Sequence, residues 1–361
     1  MNRLVVLEAR GDQAFVDGLR RAWDDGDAVL PLDPRLPGPA RAEVLAAARP
    51  DEPVEEGDAL VVATSGTTGA AKAVVLTHGA VAASAVATSR RLAVDPARDR
   101  WLACLPLAHV GGLGVVTRAL HTGTPLTVAD RGDAAAVAAA AHAGCTLVAL
   151  VAAQLDRVDP AAWRVLLLGG STMPPDLPAN AVATYGMTET GSGVVYDGQP
   201  LDGVDVRVVA DEIQLRGPML LRAYRDGTDP RDGAGWFPTG DGGVWDPARR
   251  RLQVDGRMGD LIVTGGEKVW PVRVEQALAR HPRVAAALVS GRPDPTWGQR
   301  VVAAVVPADR AEPPGLDELR DWVKQTLPPW AAPRELELTD ALPRTALGKL
   351  VRRSVDGAAQ Q

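Results

Sequence analysis

Thr64-Ser65-Gly66-Thr67-Thr68-Gly69-Ala70-Ala71-Lys72 follows an apolar run at 59–63 that reads as a buried strand. The stretch offers four hydroxyls, two glycines that let backbone N–H groups approach an anion, and a terminal ammonium. That is the equipment of a polyphosphate cradle, although a short Ser/Thr/Gly surface turn has the same composition. A Walker A loop fails on spacing. Counted from Gly66, the second glycine position holds Ala71, and Ala73 stands where a magnesium-binding hydroxyl is needed.

On either side of this stretch the chain alternates. Apolar runs at 4–7, 101–105, 126–128, 147–151 and 165–168 read as short buried strands. Ala-rich stretches at 79–91 and 133–143 read as helices between them, which predicts a layered α/β domain. From 201 to 254 the period changes to two, with Val204, Val206 and Val208 and then Ile213 and Leu215 alternating with polar residues, which predicts an antiparallel β subdomain. Beyond it, a helix at 275–281, strands at 284–289 and 301–306 and a helix at 316–327 predict a compact α+β unit. The expected division is 1–256 for a large domain and 257–361 for a small mobile one.

Composition excludes several classes. The net charge is −6, with 46% apolar and 23% charged residues and no basic stripe, so no nucleic-acid partner is expected. The N-terminal apolar run is too short for a secretory signal, and no apolar stretch reaches the roughly 18 to 20 residues of a membrane span. Cys104 and Cys145 sit in apolar runs, as small buried hydrophobes of a reducing compartment do; the expected location is cytoplasmic. Only four of the 39 basic residues are lysine, namely Lys72, Lys268, Lys324 and Lys349. Because Lys and Arg are not interchangeable at a phosphate or reacting centre, this scarcity singles out Lys72, Lys268 and Lys349. Lys324 lies on a helical, solvated face.

Further short motifs follow in order. They are Leu105-Pro106-Leu107-Ala108-His109-Val110-Gly111-Gly112; Gly169-Gly170-Ser171; Thr184-Tyr185-Gly186-Met187-Thr188-Glu189-Thr190; Phe237-Pro238-Thr239-Gly240-Asp241; Gly256-Arg257-Met258-Gly259-Asp260; Thr264-Gly265-Gly266-Glu267-Lys268; and Pro343-Arg344-Thr345-Ala346-Leu347-Gly348-Lys349. Each alone is a polar or Gly-rich turn. In this order, from about residue 59 to 349, they resemble the signature series of the adenylate-forming superfamily, which includes acyl-CoA synthetases, peptide-synthetase adenylation domains and firefly luciferase.

The resemblance implies a two-step reaction with ATP, Mg2+, a small-molecule carboxylate and CoA. It implies that Thr64, Ser65, Gly66, Thr67, Thr68, Gly69 and Lys72 hold the phosphates, and that Gly169, Gly170, Ser171, Thr184, Tyr185, Gly186, Met187, Thr188, Asp241, Arg257 and Lys349 hold AMP. Tyr185 would lie against adenine, Asp241 on the ribose hydroxyls and Glu189 on the metal. Lys349, His109 and Thr188 would serve the reacting centre, and Gly265, Gly266 and Lys268 would face CoA. His109, Gly111, Arg118, Thr190, Gly191 and Ser192 are the expected acyl contacts, with Arg118 expected to pair a second carboxylate or else to be a solvated helix residue. The hinge position, often Asp in the family, is Gly259 here, which eases rotation but defines two closed states less sharply.

No carrier segment follows Lys349, so CoA is the expected thiol. The short region before Thr64 is similar to that of the short o-succinylbenzoate–CoA ligases of menaquinone biosynthesis. Another small acyl- or aryl-CoA ligase, or a free-standing adenylation enzyme that loads a carrier protein, shares every motif. A homodimer is left open.

Overall fold

The computed structural model describes residues 2–64, 71–130, 132–170, 173–174 and 176–343. Ser65, Gly66, Thr67, Thr68, Gly69, Ser171 and Lys349 therefore lie outside the described residues.

The apolar runs form strands flanked by turn residues, and the central ones, such as Ala28–Leu32, Asp58–Thr64 and Leu147–Val151, are buried over most of their length. A five-stranded sheet runs in the order Leu4–Glu8, Ala28–Leu32, Asp58–Thr64, Lys72–Thr77, Ala223–Tyr224. Its first three strands are parallel, and Asp58–Thr64 then pairs antiparallel with Lys72–Thr77, with Thr64 opposite Lys72. A seven-stranded sheet takes its parallel centre from Leu126–Val128, Trp101–Ala103, Leu147–Val151, Val165–Gly169 and Ala181–Met187. The antiparallel strands Ser192–Tyr196 and Gln199–Pro200 extend it. Helices His78–Arg91 and Val110–Thr122 are packed among these strands in one large core that includes Trp101, Leu113, Val116 and Tyr196.

A four-stranded antiparallel sheet, Asp205–Val209, Glu212–Arg216, Phe237–Asp246 and Arg251–Arg257, follows. The alternation of valines predicted it. The last unit has a separate core built from Ile262, Val274, Leu278, Val289, Val301, Val305, Leu319 and Val323. Its strands Ile262–Thr264, Glu267–Val269, Val284–Asp294, Gly298–Pro307 and Glu335–Leu338 carry the helices Pro271–Leu278 and Leu316–Lys324. The first of these helices starts four residues earlier than the expected 275, because Pro271 sits in its first turn, where a missing N–H costs nothing.

This unit is tied to the β subdomain. Arg273 makes a bidentate pair with buried Asp255 at 2.7 and 2.9 Å. Trp270 lies on Gly242 so closely that a Cβ there would fall 2.0 Å from the ring. Among the described residues no helix is long and apolar enough to cross a membrane.

Candidate active site

The C-terminal ends of the parallel strands open into one cavity of about 2340 Å3. Such ends are where open α/β sheets bind ligands. Thr64 and Lys72 close one part of its wall, at facing strand ends. The chain re-enters at Lys72 as a strand, whereas a Walker A loop runs into a helix, so the spacing and the topology agree in excluding that motif.

At the nucleotide end, Gly169, Gly170, Thr184, Gly186, Met187, Thr188 and Glu189 line the cavity. The Thr184 hydroxyl donates to the Leu168 carbonyl at 2.9 Å and pins the segment to its neighbouring strand. Gly186 is required by close approach: a Cβ there would lie 2.2 Å from the Ser192 carbonyl oxygen. Tyr185 and Asp241 are not part of the cavity wall. Tyr185 donates its hydroxyl to Asp241 Oδ2 at 2.9 Å, while Arg257 Nε lies 3.0 Å from Oδ1. Burial raises the Asp241 pKa, opposed by Arg257, and burial beside Asp241 raises that of Tyr185 well above the usual phenol range. The three side chains thus form one charge-paired unit behind the wall, with Arg257 reaching the cavity.

Glu189 is a carboxylate that this end could offer a cation. Its Oε1 accepts the Tyr224 hydroxyl at 3.1 Å, and the Lys72 ammonium sits 4.8 Å from the centre of the Tyr224 ring. Burial and Glu189 raise the Tyr224 pKa, so it stays a donor. Among the described residues no group of three or more His, Cys, Asp or Glu could hold a metal by itself. A carboxylate there fits a magnesium ion that would arrive with the phosphates and keep several waters.

At the other end, His109, Gly111, Arg118 and Ser192 line the cavity. His109 caps the helix Val110–Thr122 that carries Arg118. Arg118 is only 2% exposed, so it is no solvated helix residue. Its Nη2 donates to Ser192 Oγ at 3.1 Å, its guanidinium lies 5.0 Å from the Trp101 ring centre, and its Nε and Nη1 have no partner among the described residues. Burial pulls its pKa down, but an arginine remains charged.

Besides Tyr185 and Asp241, five expected contacts lie off the cavity wall. Thr190 is fully buried; its hydroxyl accepts the Met187 N–H at 2.9 Å and donates to the Ser192 carbonyl at 2.7 Å, so it is spent on the backbone turn. Gly191 continues that turn at φ +65° and does not line the cavity. Gly265, Gly266 and Lys268 also lie off the cavity wall. Lys268 is paired with Asp211 at the surface, because the exposed strand Glu267–Val269 faces the turn that holds Asp211. Gly259 does line the cavity, yet a Cβ there would meet nothing within 4 Å.

Sequence reasoning missed Tyr224. The signal available was scarcity: the chain has three tyrosines, and Tyr185, Tyr196 and Tyr224 all hydrogen-bond through their hydroxyls.

A model of the family described as AMP-binding enzyme matches residues 8–222, and one of the AMP-binding enzyme C-terminal domain matches residues 273–349. The chain belongs to the AMP-binding enzyme family. Among relatives in this family, a probable 2-succinylbenzoate–CoA ligase of Mycobacterium tuberculosis is 41% identical over 98% of this chain and 97% of its own length. A 2-succinylbenzoate–CoA ligase of Bacillus cytotoxicus is 33% identical over 82% of this chain and 69% of its own length. The solved structure of o-succinylbenzoate CoA synthetase from Bacillus subtilis with the acyl-adenylate intermediate OSB-AMP superposes with a TM-score of 0.74 at 28% identity, covering 99% of this chain and 84% of that one. AMP-binding enzymes that are CoA ligases take ATP and CoA as substrates, and the two-part architecture here is theirs.

Proposed function

We propose that this chain joins 2-succinylbenzoate to CoA through an acyl-adenylate. One observation supports the choice of acid beyond the relatives' names: Arg118, a residue of the cavity lining, is a buried cation with two nitrogens unpartnered among the described residues. 2-Succinylbenzoate has two carboxylates. While one reacts, the other stays ionised and needs a buried partner, and Arg118 with Ser192 supplies one.

In the first step a carboxylate oxygen attacks the α-phosphorus of ATP and the bond to pyrophosphate breaks. Thr64, Lys72 and the glycine-rich stretch would hold the departing pyrophosphate, Glu189 would help hold magnesium, which would offset the phosphate charge, and Arg257, held by Asp241, would anchor the ribose side. Asp241 acts through Arg257 and Tyr185, which favour its carboxylate against the burial that raises its pKa. Lys349 stands between two anions that must approach, where a cation has most to contribute. In the second step the thiol sulfur of CoA attacks the acyl carbonyl, loses its proton and displaces AMP. Residues 257–361 would turn about Gly259 between the steps, relative to residues 1–256, and bring Gly265 and Gly266 to the cavity. Two free buried thiols, Cys104 and Cys145, suit a cytoplasmic setting.

The test is a carboxylate panel assayed for ATP-dependent pyrophosphate release with and without CoA. Aromatic diacids should react best and give a CoA thioester. Preference for monocarboxylates would sink the choice of acid, and adenylation without thioester formation would favour a carrier-loading enzyme.

A further inference from the structure

Tyr224 occupies the two-residue strand Ala223–Tyr224, antiparallel to Lys72–Thr77 and opposite Val74. Lys72 is two residues from Val74, so it shares a sheet face with Tyr224. The backbone around Tyr224 is held to both neighbouring segments. Leu221 N–H donates to the Glu189 carbonyl at 2.7 Å, Arg222 N–H to Val75 at 2.9 Å, and Arg225 N–H to Ala73 at 2.8 Å. The side chain then meets both charged groups of the nucleotide end, Glu189 through its hydroxyl and Lys72 across its ring.

Lys72 and Glu189 carry opposite charges on one cavity wall, yet neither joins an ion pair among the described residues. Without an intervening group, two such side chains would neutralise each other. We propose that Tyr224 is a positioning residue that keeps them apart and ready: its ring holds the ammonium, its hydroxyl holds one carboxylate oxygen, and the remaining valences face the polyphosphate and its magnesium. This rests on the reading that Lys72 and Glu189 serve ATP. The phenol neither gives up nor takes a proton in the reaction; it sets where two charges stand.

The experiment compares Tyr224→Phe, which keeps the ring, with Tyr224→Leu, which removes ring and hydroxyl. The readouts are the calorimetric dissociation constant for ATP with magnesium, KM for ATP against KM for the acid, and the melting temperature. Loss of a hydrogen bond to a charged group should weaken ATP binding roughly tenfold in the Phe variant. Loss of the ring should add about two- to fivefold in the Leu variant. KM for the acid should stay within twofold in both. A merely structural tyrosine would lower the melting temperature and leave the ratio of the two KM values unchanged, which would overturn the proposal. So would a Phe variant with wild-type ATP affinity, or Phe and Leu variants that are equal. Lys72→Ala and Glu189→Gln are the controls. If neither weakens ATP binding, the reading of the polyphosphate end is at fault; if both do and the Tyr224 variants do not, only the role of Tyr224 falls.

Discussion

The two ends of the cavity are built on opposite principles. At the nucleotide end two carboxylates already have company: Asp241 is flanked by Arg257 and Tyr185, and Glu189 by Tyr224. At the acyl end Arg118 is buried with two nitrogens unpartnered and no carboxylate paired to it among the described residues. A buried unpaired charge costs several kcal/mol, so the fold carries that cost until an anion arrives. On the proposed function, the first end would be pre-organised for the nucleotide, and the second would withhold its stabilisation until an acid supplies the missing charge, so selectivity would reside there.

Four substitutions break or sharpen this contrast. The largest effect is expected at Lys349, the proposed cation of the activation step. In Lys349→Ala, acid activation should fall about 10²- to 10³-fold, while thioester formation from supplied acyl-adenylate persists; equal loss of both would remove the assigned role. Next is Arg118→Met. Its kcat/KM for an aromatic diacid should fall about 10- to 100-fold, as expected for a charged hydrogen bond, with monocarboxylates little changed. Its melting temperature should hold or rise, because an unpaired buried charge has gone. A drop in stability would mean that Arg118 is structural.

Gly242→Ala probes the packing behind Asp241. The new methyl would collide with Trp270, and about 1 to 3 kcal/mol of stability should be lost in chemical denaturation. KM for ATP should rise more than KM for the acid. The smallest effect is expected for Lys268→Ala, which removes an exposed pair with Asp211 and should shift stability by under about 1 kcal/mol. A larger shift would show that charge, and not the Trp270 contact, holds the last unit in place.

The cavity-lining stretch at 184–189 was legible in sequence as one motif because its residues are consecutive, although Tyr185 within it lies behind the wall. A strand, a glycine forced by close approach and a carboxylate fit within residues 184–189, and local order is what a short motif encodes. The layered α/β domain was legible through its apolar runs. The helix Val110–Thr122 was not, since its early glycines and valines carry no amphipathic signal. With the bounds and buried face of that helix unread, Arg118 could be named only by its place after His109, and its burial was beyond reach. Thr190 was misplaced for a related reason: its hydroxyl is used by a backbone turn that its neighbours do not announce.

By itself the sequence determined which reacting groups the chain carries, in what order, and that a Walker A loop is not among them, because spacing along the backbone is a one-dimensional property. Only the tertiary structure decided which groups stand free and which are paired. It buried Arg118 against Trp101 and Ser192, set Tyr224 between Lys72 and Glu189, and turned Lys268 towards Asp211. Partners of this kind come from residues far apart in the chain, and what a charge does depends on the dielectric and the neighbours that folding gives it.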